Sequence, residues 1–185
     1  HTIKVIFIPD TYEFYWNTKA EEFIRRMLKE FNKFWTQERI EKAERLNLTK
    51  VDVSTLASIV HKETPHKSEE PKIAGVYINR LRKRMRLQAD PTVKYLLPDS
   101  VKRILSKHLT IESPYNTYLH YGLPPGPITT PPVSSIKAVL NYEDHDYLYF
   151  CAKDDFSRYH VFAKTYQQHI VNALKYQREL SKRKI

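Results

Sequence analysis

Glu63 is the residue whose type and surroundings best suit chemistry. It falls at the end of the apolar stretch Val53, Leu56, Ile59, Val60, two positions before Pro65. A proline disfavours helical conformation at the residue before it, so the spacing predicts a helix whose last turn is His61, Lys62, Glu63 and Thr64. There the negative end of the helix dipole opposes ionisation of a carboxyl, which favours the protonated form that a general acid needs. A solvated surface glutamate is the alternative reading. Further along, Leu87-Gln-Ala-Asp-Pro-Thr92 brings neutral hydrogen-bonding groups, Gln88 and Thr92, of the kind that read sugar hydroxyls and amides. Asp90, before Pro91, is placed either to cap a helix or to line a site. Ser113-Pro-Tyr-Asn-Thr-Tyr118 and Gly122-Leu-Pro-Pro-Gly-Pro127 join stackable Tyr115 and Tyr118, the Asn116 amide and a stiff loop, the composition of a functional loop on a rigid scaffold or of a plain connector.

Other chemistries lack their signatures. No GxxxxGK[ST], GxGxxG, HExxH or GxSxG motif occurs, so phosphate-cradling loops, zincins and common serine hydrolases are not indicated. The eight histidines are scattered without paired metal-ligand spacing, and no metal or cofactor is expected. The single cysteine, Cys151, excludes an internal disulfide and reads as a buried, inert thiol in the run Tyr147 to Ala152.

Elements must position these residues. Thr2 to Ile8 is rich in β-branched residues and reads as a strand stopped by Pro9-Asp10. Thr18 and Glu21 suggest a capping box for a helix over about 19–35, with Phe23, Met27, Phe31 and Phe34 at helical spacing. A second helix puts Ile40, Ala43 and Leu46 inward and ends near Asn47; Asp52 caps a third. Pro71 suits the first turn of a fourth, with Ile73, Val76, Tyr77 and Leu81 buried. Shorter helices are expected near Pro91 to Leu97, Asp99 to Lys107 and Ser134 to Leu140. A hairpin turns at Lys153-Asp154-Asp155-Phe156, and a final helix starts at a Thr165 cap and frays in Ser181 to Ile185. The sum is a mainly helical α+β domain.

With 185 residues, the chain is long enough for one domain with a real core. It opens on an apolar stretch with no Met, signal peptide or leader, which predicts a piece of a longer protein. Its 31 Lys and Arg against 21 Asp and Glu give a net charge of +10, suited to an anionic partner. Half the excess falls in the last 35 residues, which carry 8 basic and 3 acidic side chains; Arg80, Arg82, Lys83, Arg84 and Arg86 form a second cluster. Aromatics do not interleave with these basic residues, which argues against nucleic acid. Anionic lipid and an acidic wall polymer stay open as partner classes.

Leu56-Ala-Ser-Ile-Val-His-Lys-Glu-Thr64, Ile73-Ala-Gly-Val-Tyr-Ile-Asn-Arg-Leu81, Met85 to Thr92, Ser113 to Tyr118, Gly122 to Ile128 and Tyr147-Leu-Tyr-Phe150 resemble, in order and spacing, the YceG-like family of endolytic murein transglycosylases. The resemblance implies a lysozyme/transglycosylase-like catalytic domain over 18–185, with 1–17 a remnant of an upstream LysM-like subdomain. It implies a bacterial enzyme on the extracytoplasmic side of the cytoplasmic membrane, anchored by an N-terminal helix outside this sequence. The enzyme would cleave nascent peptidoglycan strands between N-acetylmuramic acid and N-acetylglucosamine, leave 1,6-anhydro ends, and terminate glycan elongation beside synthases of the penicillin-binding type. The family's catalytic glutamate maps onto Glu63. Many members read Glu-Lys-Glu-Thr at this motif; here His61 replaces the first Glu, leaving Glu63 as the acid. Glu63-Thr64 is similar to the Glu-Ser pair of lysozyme-like transglycosylases. Asn79, Gln88, Asp90, Thr92, Tyr115, Asn116 and Tyr118 are the candidates for lining the cleft. Two rivals stand beside this reading: a lysozyme-type hydrolase with Asp90 or Glu69 as second carboxylate, and a non-catalytic module that binds an anionic polymer.

Overall fold

The fold is built around one helix with no polar face. In the computed structural model, which describes residues 2–183, α3 (Lys50–Glu63) buries every side chain from Val53 to Val60. Ser54, Ala57 and Ser58 are small enough to let neighbours approach closely, and the two hydroxyls bond back to the helix's own carbonyls of Lys50 and Thr55. The helix starts on a capping box: Thr49 Oγ1 accepts from Asp52 N–H, and the Asp52 carboxylate accepts from Thr49 N–H. Asp52 is therefore the third residue of the helix rather than its cap.

Around α3 pack α2 (Gln37–Arg45), α4 (Glu70–Arg82), the short α5 (Asp90–Lys94) and α6 (Val133–Leu140). Helix α1 (Ala20–Phe34) precedes them and buries only Met27 fully. It begins one residue later than the sequence suggests: Lys19 occupies the cap position and the Thr18 hydroxyl donates to the Tyr15 carbonyl instead. Glu70, at the start of α4, is buried and accepts a hydrogen bond from Ser135 Oγ of α6 at 2.9 Å. The Pro/Gly segment is fastened to the core where Ile128 N–H donates to Ser58 Oγ at 3.0 Å.

Strands β1 (Tyr149–Ala152) and β2 (His160–Ala163) form an antiparallel hairpin, with Phe150 opposite Phe162 and Ala152 opposite His160. The segment leading into it docks on α4: Asn79 Nδ2 donates to the carbonyls of His145 and Tyr147 at 2.5 and 3.2 Å. Gly75 of α4 makes this docking possible, since a Cβ there would lie 2.4 Å from the Glu143 carbonyl oxygen. Helix α7 (Tyr166–Lys182), capped by Thr165, packs on both strands of the hairpin and buries no residue fully. The described structure is thus mixed, mainly helical, with one two-stranded sheet, as expected. His1, Lys184 and Ile185, which belong to the expected N-terminal remnant and C-terminal tail, lie outside the described residues.

Two expected elements differ. Thr2–Ile6 is a 3-10 helix, not a strand. β-branched composition favours a strand only where a partner strand is available, and the one sheet among the described residues pairs only β1 and β2. The segment instead turns Val5 and Ile8 into the protein beside α1 and α3. The helix expected over Asp99 to Lys107 shrinks to a 3-10 turn at Ser106–His108. Lys94 Nζ donates to the carbonyls of Pro98 and Val101, so those groups are satisfied by a side chain and not by a helical ladder.

Candidate active site

Glu63 closes α3 because Thr64 turns the chain to extended geometry, at φ −136° and ψ 142°. Its side chain emerges where two hollows meet. One, of about 550 Å³, runs past Lys62, Asp90, Lys94, Tyr95 and Ile104; the other, of about 460 Å³, past Tyr77, Arg80, Gln88, Tyr118, β1 and His160. Glu63 and Asp90 border both. Each hollow has the volume of an ordinary ligand pocket, and together they form a groove with two carboxyls at its middle.

The acid is prepared by its surroundings. The surroundings together raise the Glu63 carboxyl to about 7: burial is the largest cause and the Asp90 charge adds to it, while a hydrogen bond from the Tyr77 hydroxyl to Oε1 and the charges of His160 and Arg80 pull the other way. Desolvation by the groove walls is thus the main cause. Tyr77 is itself deeply buried, and burial together with the Glu63 charge holds its phenol well above the usual range, so it remains a donor at any working pH. With Oε1 taken by Tyr77, Oε2 is the oxygen left to carry a proton into the groove.

Asp90 does not cap α5. Ala89 holds that position, and Asp90 Oδ1 accepts a 2.5 Å hydrogen bond from Tyr118. Burial raises the Tyr118 phenol, and the bond to Asp90 raises it further. Gln88 sits at φ 49°, a left-handed conformation costing a non-glycine residue roughly 1 kcal/mol, and is held there by its N–H to the Thr117 carbonyl at 3.0 Å. Such strain marks sites where side-chain direction matters more than local comfort.

Of the residues expected to line the cleft, Gln88, Asp90 and Tyr118 come together around Glu63. Asn79, Thr92, Tyr115 and Asn116 do not border either hollow and instead hold the walls. Asn79 anchors the segment before the hairpin, as above. Thr92 is fully buried, its hydroxyl bonded to the Ala89 carbonyl and to Thr117 Oγ1. Asn116 is also fully buried, donating to the carbonyls of Leu109 and Ile111. Tyr115 packs against the groove residue Tyr95, with ring centroids 5.0 Å apart. Cys151 is only half-buried and lies in the groove wall, where burial and then Asp154 push its thiol above the usual range and keep it protonated.

Sequence reading missed Tyr77, Arg80, His160 and, on α7, His169, all of which border the second hollow. Tyr77 is legible only as a core residue, and it is one, apart from its hydroxyl. Arg80 counts with its neighbours as surface charge, yet it is buried, donating to the carbonyls of Leu148 at 2.6 Å and Leu87 at 2.7 Å. It is a strut between α4, the hairpin and the Gln88 segment. Glu69 is not free to act as a second catalytic carboxylate: it is buried, and although desolvation alone would raise it, hydrogen bonds from His160 and Thr64 hold it below the usual range. Among the described residues, no group of three or more His, Cys, Asp or Glu side chains could hold a metal ion, and no helix is long and apolar enough to cross a membrane.

The groove thus holds a burial-raised glutamate on the end of a buried helix, with Asp90 beside it. The model of the YceG-like family matches residues 1–175, and the chain belongs to that family. It is 40% identical over 171 residues to the endolytic murein transglycosylase of Bacillus subtilis (strain 168), covering 91% of this chain and 46% of that protein. It is 33% identical over 149 residues to the endolytic murein transglycosylase of Streptococcus pneumoniae serotype 2 (strain D39 / NCTC 7466), covering 78% of this chain and 27% of the other. The 2.6 Å crystal structure of a yceG-like protein from Listeria monocytogenes superposes with a TM-score of 0.77 at 37% identity, over 90% of this chain and 54% of that one. The chain therefore spans about half or less of the length of these relatives.

Proposed function

We propose that this chain is the catalytic part of an endolytic peptidoglycan lytic transglycosylase with a lysozyme/transglycosylase-like helical body, and that Glu63 is its acid and base. The observation that carries the reading is the place of Glu63, a carboxyl raised toward neutrality at the junction of two hollows, so that sugar units can lie on either side of the bond it faces. The names of the relatives support the substrate. Protonated Glu63 gives its proton to the glycosidic oxygen between N-acetylmuramic acid and N-acetylglucosamine; the bond to the anomeric carbon breaks as oxocarbenium character develops. The carboxylate then takes the proton of the muramic acid C6 hydroxyl, whose oxygen bonds to the anomeric carbon. A 1,6-anhydro end forms, the acid is regenerated and no water is consumed. The nucleophile is tethered to the reacting carbon, so its effective concentration is high and no second nucleophilic carboxylate is required. Asp90, across the groove, supplies negative charge to the oxocarbenium, with Tyr118 fixing its orientation. Gln88 is placed to hydrogen-bond the sugars or their acetamido groups.

By family resemblance we further propose an extracytoplasmic enzyme anchored by an upstream membrane helix, with residues 1–17 ending a LysM-like subdomain. It would terminate glycan elongation beside penicillin-binding synthases. A lysozyme-type hydrolase is the second reading, favoured by the presence of Asp90 in the same groove. Mass analysis of products from purified glycan strands separates the two. Muramic ends one water lighter than the reducing sugar are expected, and reducing ends alone would establish hydrolysis. Glu63→Gln should lower turnover by at least about 100-fold, as for removal of a general acid; full activity would remove Glu63 from the role. Strand binding by wild type without any cleavage would favour a binding module.

A further inference from the structure

We propose that Glu69 and His160 form a positioning unit that locks the helix end bearing Glu63 to the hairpin wall of the groove; the role rests on the glycan-cleavage reading above. Glu69 is 6% exposed, and both of its oxygens are used. Oε1 accepts from the His160 backbone N–H at 2.8 Å; Oε2 accepts from Thr64 Oγ1 at 3.0 Å and meets His160 Nδ1 at 2.7 Å. A buried carboxylate is tolerated only when it is hydrogen-bonded and paired in this way. Its donors come from just two places: the residue that follows Glu63 and the first residue of β2.

The same two segments meet again beside this pair. His66 N–H donates to Thr64 Oγ1 at 3.1 Å, the His66 ring Nε2 lies 3.0 Å from the Ser157 carbonyl, and the His66 ring stacks on Tyr159 with centroids 3.7 Å apart. On its groove side, the His160 ring stands edge-on to Phe150, which stands edge-on to Tyr77, which donates to Glu63. The contacts therefore close a circuit: Glu63, Thr64, Glu69, His160, Phe150, Tyr77 and back to Glu63. Thr64 turns its hydroxyl into this circuit and not into the groove. Loosening the Glu69 to His160 link frees both the turn after the acid and the hairpin wall, whose Phe150 packs against Tyr77, the hydroxyl donor on α4; Glu69 itself borders neither hollow.

The test is steady-state cleavage of purified glycan strands by wild type, Glu69→Gln, His160→Ala, His160→Asn and the Glu69→Gln/His160→Ala double variant, each confirmed folded by circular dichroism. Glutamine has one acceptor oxygen where the carboxylate has two, so it must lose either the His160 backbone N–H on one side or Thr64 and the His160 ring on the other, whereas asparagine at 160 keeps a donor near the Nδ1 position. Glu69→Gln and His160→Ala should each lower kcat about 10- to 100-fold, the scale of a displaced catalytic group, with KM within about threefold of wild type. The double variant should be no worse than the poorer single one, and His160→Asn should recover most of the loss. The positioning role is overturned if kcat holds and KM alone rises, if the two losses multiply as for independent sites, or if Asn behaves like Ala. Should Glu69→Gln not fold, the two His160 variants decide between these outcomes. Wild type that leaves strands uncut removes the cleavage reading and this role with it, whereas active wild type with unaffected variants removes this role alone.

Discussion

Replacing Glu63 by Gln should stabilise the protein by an amount that grows as pH rises above about 4.5 and levels off above about 7. The carboxyl is raised from 4.5 to about 7, chiefly by burial. Below pH 4.5 folded and unfolded chains both hold the proton and the group contributes no difference. Between 4.5 and 7 the folded chain keeps a proton that the unfolded chain has lost, so stability falls as pH rises; above about 7 both are ionised and the loss is complete. At about 1.4 kcal/mol for each tenfold change in proton affinity, the loss amounts to about 3 kcal/mol at most. Glutamine preserves the shape and an oxygen to accept from Tyr77, and it has nothing to ionise. Urea unfolding of both proteins across pH 4 to 8 should therefore give curves that coincide near pH 4 and separate to about 3 kcal/mol by pH 8. In thermal melts this corresponds to a shift of about 6–12 °C for a chain of this size. Other titrating groups are common to both proteins and cancel. A stability difference that does not change with pH would refute the assignment of a burial-raised acid, whatever became of activity.

The neighbours of Glu63 should move the alkaline limb of the rate profile in opposite directions. Tyr77→Phe removes a bond that favours the carboxylate, so the limb should shift to higher pH; Asp90→Asn removes a repelling charge, so it should shift to lower pH, both measured as kcat/KM against pH. Gly75→Ala puts a Cβ against the Glu143 carbonyl and should cost about 1–3 kcal/mol in urea unfolding, as for overpacked sites. Neutralising Arg82, Lys83, Arg84 and Arg86 should weaken sedimentation with anionic vesicles or wall material in a salt-dependent way and spare turnover of short soluble glycans. Arg80→Gln should instead lower stability, since that guanidinium is internal.

What the sequence made legible follows the range of the forces involved. The α3 stop, the proline start of α4, the Thr165 cap and the hairpin turn are local and were readable from a few adjacent residues. The Thr2 to Ile8 strand was not, because β-branched side chains state a preference that only a partner strand can realise. Asp90 shows the same limit: its spacing before Pro91 fits a cap, and Tyr118, 28 residues on, takes its carboxylate elsewhere. Glu63 stood out because its helix ends beside a proline. The groups that tune it did not, since Tyr77 reads as core, Arg80 as surface charge, and His160 lies 91 residues from the glutamate that fixes it. Asn79, Thr92 and Asn116 have the chemistry of ligand-reading groups, and their amides and hydroxyls are used on the protein's own backbone.

The two sides of the groove differ in how firmly they are built. One side belongs to α3, α4 and α5, interlocked by the buried core. The other is the hairpin with α7, a helix that buries no residue fully and packs on β1 and β2. Elements with so little buried surface open at a smaller free energy than the core, as a sub-global unit. Their amides should therefore exchange with deuterium faster than those of α3 and α4. On the proposed endolytic reading, the polymer is cut far from its termini, has no end to thread through a tunnel and enters from the side. A groove with one rigid flank and one separately stabilised flank is suited to that sideways admission.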